Sequence, residues 1–89
     1  IPTTLNGYPV IATAPRPNIT ELTLVIVHRK GHPAHEYVAA TWKPDFGDEW
    51  CWGHYCKTFD QAKAIYPDAN WQMVDDDFDA IGMMMGRNK

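Results

Sequence analysis

Cysteine, excess charge and long apolar runs are all scarce in this chain, and each shortage closes off a class of protein. Its 89 residues include two cysteines, too few for the disulfide framework that staples small secreted domains. A formal charge of −3 is far from the clustered Lys and Arg that neutralise phosphates, so general nucleic-acid binding is not expected. That charge is equally too mild for a DNA mimic. No stretch approaches the ~18 apolar residues of a membrane span, and no secretory apolar core stands near Ile1. There is no internal repeat and no low-complexity tract. A reducing cytoplasm is the expected setting, with no membrane partner.

What the chain has in quantity is aromatic surface. Four Trp, four Tyr and three Phe supply rings that each remove ~150–250 Å² from water when buried. At this length the chain buries somewhat more than ~60% of its unfolded surface, so its core is real but thin. The expected organisation is a flexible lead-in over 1–6, one α+β domain over 7–85 and a disordered tail over 86–89.

The stretch from Glu49 to Ala64, E-W-C-W-G-H-Y-C-K-T-F-D-Q-A-K-A, passes from an aromatic-rich strand into a helix. Trp50, Cys51, Trp52, His54, Tyr55 and Cys56 are types that favour a pleated, half-buried surface. Thr58 and Gln61 have the S/T-x-x-E/Q spacing of a capping box. Phe59, Ala62 and Ile65 then recur at helical spacing, and Pro67 stops a helix expected over Phe59 to Tyr66. Gly53 predicts a bulge or a close approach of another backbone.

Earlier in the chain, Gly7-Tyr8-Pro9 reads as a turn into a first strand, Val10 to Ala14. Pro15 and Pro17 cannot continue it, because each removes a ladder donor. Glu21 to Arg29 is the strongest strand signal, apolar on both sides and therefore expected at the centre of a sheet. After the turn Lys30 to His35 comes a third strand, Glu36 to Lys43. The loop Pro44 to Asp48 closes a hairpin into the fourth, Glu49 to Cys56, which brings Trp42 near Trp50 or Trp52. Val74, Phe78, Ile81 and Met85 form one apolar stripe of a second helix, with Asp75 to Asp77 complementing its dipole. The fold class is thus α+β: a four-stranded antiparallel β-meander followed by one helix, plus a second C-terminal helix.

Four constellations carry a chemical reading and a plainer one. His28, His32, His35, His54, Cys51 and Cys56 are metal-ligand types, and His32-x-x-His35 has workable spacing. Zinc needs about four such groups in tetrahedral reach; no C-x₂-C pairing is present, and Cys51 and Cys56 fall on opposite sides of a regular strand. Either cysteine can be drawn as a nucleophile with His54, but strand geometry holds the side chains apart, and free cysteines more often pack as small apolar residues. Trp42, Trp50, Trp52 and Tyr55 resemble a base-stacking platform, yet the basic groove of such platforms is missing: Arg29, Lys30, Lys43 and Lys57 are offset by Glu36, Asp45, Asp48 and Glu49. Met83 to Met85 can form an adaptable docking surface or simply a packed helix end. No catalytic residue, cofactor or metal is expected.

Three segments carry a resemblance: G-Y-P-V-I at Gly7 to Ile11, V-A-A-T-W-K at Val38 to Lys43 and W-G-H-Y-C at Trp52 to Cys56. Together they resemble a group of short uncharacterised proteins of actinobacteria and their phages, whose pattern runs GYPVI, V-x-A-x-W, W-G-H-Y-F and then an alanine-rich acidic helix. The likeness spans Gly7 to Tyr66; Cys56 replaces an aromatic, and the Met-rich C-terminus is an addition. It implies a phage-linked, cytoplasmic setting and no particular activity.

The expected function is a non-enzymatic protein-binding module acting on a host protein or on a second copy of itself. Its candidate contact residues are Trp42, Trp50, Trp52, Phe78, Ile81, Met84 and Met85. The alternative is a small metal-binding or nucleic-acid-interacting regulator.

Overall fold

Asn6-Gly7 starts the sheet. Both residues have positive φ, 51° and 86°, the geometry of a two-residue hairpin turn for which Asn-Gly is the preferred pair. The turn joins β1 (Thr4–Leu5) to β2 (Tyr8–Pro15), with Leu5 opposite Tyr8. The structure is a computed structural model that describes residues 2–16, 19 and 21–74. Beyond the first hairpin lie β3 (Thr23–His28), β4 (Tyr37–Trp42), a 3-10 turn (Pro44–Phe46), β5 (Cys51–Cys56), α1 (Phe59–Ile65) and β6 (Gln72–Met73).

These strands form one antiparallel sheet in the order β1-β2-β3-β4-β5, and β6 pairs with β2. The most apolar strand, β3, is central, as its two apolar sides predict. The backbone N–H of Asn6 donates to Asp48 O at 2.7 Å, so the first turn meets the β4–β5 connection and the sheet curls into a half-barrel. The curled face holds Leu5, Val10, Val25, Val27, Val38 and Ala40, with Tyr8, Trp42 and Trp50 packed against them. The opposite face holds Ala12, Ile26, Ala39 and Cys56, covered by Ala62 of α1 with Phe59, Tyr66 and Trp71 alongside.

The expected meander and first helix are present, but the strand count is six rather than four. Thr4–Leu5 is no frayed lead-in: Leu5 is fully buried, held by the Asn-Gly turn that a reading of 1–6 as polar lead-in passes over. β6 is two residues long, too short to carry a period-2 signal of its own, and forms because the chain returns along β2 after α1. Val74, expected in a second helix, donates its N–H to Ile11 O at 3.0 Å. The remainder of that stripe, and the tail over 86–89, lie outside the described residues.

At the head of α1, Thr58 Oγ1 accepts from Gln61 N–H at 3.1 Å. Gln61 Oε1 in turn accepts from Lys57 N–H at 3.0 Å. The capping box predicted from spacing is present, with its return bond one residue earlier than the usual N-cap amide. With seven residues, α1 is ~10 Å long, whereas a six-residue strand extends ~20 Å. The helix therefore covers only part of its face of the sheet, and the uncovered remainder becomes a cleft.

Candidate functional site

The cleft is set up by an irregularity in β5. Ala39 and Thr41 of β4 pair with His54 and Cys51 of β5, so β5 holds one residue more than its partner across this interval. Trp52, inside the bulge, takes φ 54°, a left-handed conformation that costs a bulky residue energy. A bulge of this kind re-aims side chains. Trp50 remains against the curled core, whereas Trp52 is 66% exposed, with its ring edge-on to Phe46 at 6.4 Å.

The extra residue also reverses the expected placement of the cysteines. In a regular strand Cys51 and Cys56 point to opposite sides; here they stand opposite Thr41 and Tyr37, which share one face of β4. Cys56 Sγ donates to His54 O at 3.6 Å, and burial raises its pKa above the ordinary thiol range. Its sulfur is thus engaged with backbone and kept protonated. Both cysteines are free.

Around Trp52 lies a cavity of about 460 Å³ bordered by Arg16, Leu22, Thr41, His54 and Tyr66. That volume lies within the ~300–1,000 Å³ of ligand clefts. Arg16 follows β2 directly; its carbonyl accepts from Ile19 N–H, and Ile19 O accepts from Leu22 N–H, each at 3.2 Å. Its guanidinium stands 5.5 Å from the centroid of the Tyr66 ring. Tyr66 caps the C-terminus of α1, and His54 meets its ring edge-on at 5.9 Å. A second cavity of about 250 Å³ shares Arg16 and Tyr66 and adds Leu24, Ile65, Pro67 and Asp68. Arg16 and Tyr66 thus border both lobes, one with an exposed indole and one mostly aliphatic.

Thr41 lies on the wall of the larger lobe. It is 1% exposed, and its Oγ1 has no hydrogen-bond partner among the described residues. An unpaired buried hydroxyl costs free energy, so this one marks a place where a bonding partner would be rewarded. Among the described residues, none of the ion pairs involves Arg16. The cleft therefore offers a cation, an unsatisfied hydroxyl and two rings, which suits an anionic group attached to an apolar one.

The other sequence candidates are distributed differently. Trp42 packs on the curled core and donates Nε1–H to Gly47 O at 2.8 Å. Trp50 meets Tyr55 edge-on at 6.4 Å. Phe78, Ile81, Met84 and Met85 lie outside the described residues. His32 Nδ1 accepts from His35 N–H at 3.2 Å and from Ala34 N–H at 3.3 Å, so this imidazole shapes its own turn. His28 bonds Glu36 at 3.0 Å and stacks on Tyr37 at 4.6 Å. No group of three or more His, Cys, Asp or Glu residues suited to a metal occurs among the described residues. Nor is any helix there long and apolar enough to cross a membrane.

Sequence reasoning reaches Trp52 but misses Arg16, Thr41 and Tyr66 as its neighbours. Arg16 sits among prolines with no periodic signal, and Thr41 reads as an ordinary strand residue. No family model, curated protein or solved structure matches this chain.

Proposed function

We propose that this chain is a small non-enzymatic protein-binding module whose contact surface is the Trp52 cleft. One observation carries the reading: Trp52 is held at φ 54° and 66% exposed. Strained backbone that places a large apolar ring in water contributes nothing to the core, and such strain concentrates at functional positions. Exposed tryptophans beside a cavity are also characteristic anchors of protein interfaces. The resemblance to actinobacterial and phage proteins supports a host cytoplasmic protein, or a second copy of the chain, as partner.

The test combines sedimentation with capture from host lysate, using the intact chain and Trp52→Ala. The expected result is a complex that Trp52→Ala abolishes while its circular dichroism stays unchanged. A strict monomer that retains nothing, or capture indifferent to Trp52, overturns the reading.

A further inference from the structure

We infer that the cleft recognises a single carboxylate carried next to an aromatic or aliphatic side chain, as in a peptide segment with one Glu, Asp or C-terminal carboxylate beside an apolar residue. The inference rests on the protein-binding reading and adds the chemistry of what is bound. Arg16 supplies the charge. A guanidinium presents a planar fork matched to a carboxylate, and none of the ion pairs among the described residues uses this one. Its position over Tyr66, 5.5 Å from the ring centroid, holds it at the junction of the two lobes.

Thr41 supplies the second polar contact. Its Oγ1 is buried without a partner among the described residues, and a carboxylate oxygen in the larger lobe accepts its proton once binding shifts the wall enough to uncover the hydroxyl. Trp52 and Leu22 give that lobe its apolar wall. Leu24, Ile65 and Pro67 give one to the smaller lobe.

Charge decides between a peptide and a polyanion. Asp68 borders the smaller lobe beside Arg16, so a second negative charge arriving there meets repulsion. The whole chain carries −3, unlike the basic grooves that track a nucleic-acid backbone. One cation with an acidic neighbour fits one carboxylate flanked by uncharged groups.

The test is an NMR titration of the ¹⁵N-labelled full chain with acetyl-Phe-Glu-Phe-amide. Acetyl-Phe-Gln-Phe-amide, acetyl-Phe-Phe with a free C-terminus, and a thymidine oligonucleotide serve as comparison ligands. The Glu peptide is expected to shift the Trp52 indole and the Thr41 and Tyr66 amides, with the Gln analogue about tenfold weaker through loss of a charge-assisted bond. Tight binding of the free-terminus peptide alone assigns the carboxylate to a C-terminus, which also supports the inference. Arg16→Gln is expected to weaken the Glu peptide about tenfold, and Arg16→Lys less.

Thr41→Val provides a readout of opposite sign. Removing an unpaired hydroxyl is expected to raise the melting temperature of the free protein while weakening the peptide. Equal binding of the Glu and Gln peptides overturns the inference, as does preference for the oligonucleotide, or Thr41→Val that lowers stability without touching affinity. If acidic peptides fail while Trp52-dependent capture from lysate persists, only the carboxylate assignment falls. If that capture fails as well, the protein-binding reading falls with it.

Discussion

The indole Nε1 of Trp50 occupies the space beside Gly53, 2.9 Å from where a Cβ on that residue would stand. Val38 Cγ1 closes the same space at 3.2 Å. The close approach expected at Gly53 is thus made by side chains, and the bulge expected there is present as well. Glycine at this position leaves room for the Trp50 indole against the curled core, while the bulge turns Trp52 outward.

Gly53→Ala is therefore expected to destabilise the protein by roughly 1–3 kcal/mol through overpacking. Urea denaturation measures it. A loss below about 0.5 kcal/mol would mean that the indole moves aside at little cost.

The strain at Trp52 has its own signature. Glycine tolerates positive φ and alanine does not, so Trp52→Gly is expected to be more stable than Trp52→Ala by about 1 kcal/mol. Both remove the contact with Phe46, so the difference isolates the backbone. Equal stability of the two variants would show that residue 52 leaves the left-handed region once the ring is gone.

Thr58→Ala removes the side-chain acceptor for Gln61 N–H and should cost about 1 kcal/mol. Because α1 is seven residues long, its packing through Ala62 cannot compensate by adding turns. Faster amide exchange within Phe59–Ile65 than in β3 would locate the effect at the helix start.

Cys56 gives a pH dependence of definite sign. Burial raises its pKa, so the folded state holds the thiol proton more tightly than the unfolded chain does. The associated stability is fully present below the unfolded thiol's pKa and is lost as pH rises through the higher folded value. The melting temperature is expected to fall above about pH 8.5, and less steeply in Cys56→Ala. At neutral pH a thiol reagent should modify the half-buried Cys51 before the buried Cys56.

Local patterns carried most of the sheet. The strands β2 to β5 and the helix after Thr58 are legible because alternation, proline breaks and a capping box act over a few residues. The first hairpin was equally legible in Asn6-Gly7, whose turn preference outweighs the polar look of Ile1 to Asn6. Gly53 announced an irregularity but not its consequence.

That consequence belongs to tertiary structure. One additional residue in β5 inverts the side-to-side order, which puts Cys51 and Cys56 on one face and separates Trp50 from Trp52. No property of a single strand fixes such a register, because it depends on how β5 pairs with β4. The cleft depends on still more distant relations. Arg16, Thr41, Trp52 and Tyr66 come together only once the sheet has formed and a short helix has covered part of it. The sequence by itself determined which segments pair and where the helix begins, since those choices rest on neighbouring residues. Which rings reach water, and which cation and hydroxyl they meet there, was decided by packing between segments far apart in the chain.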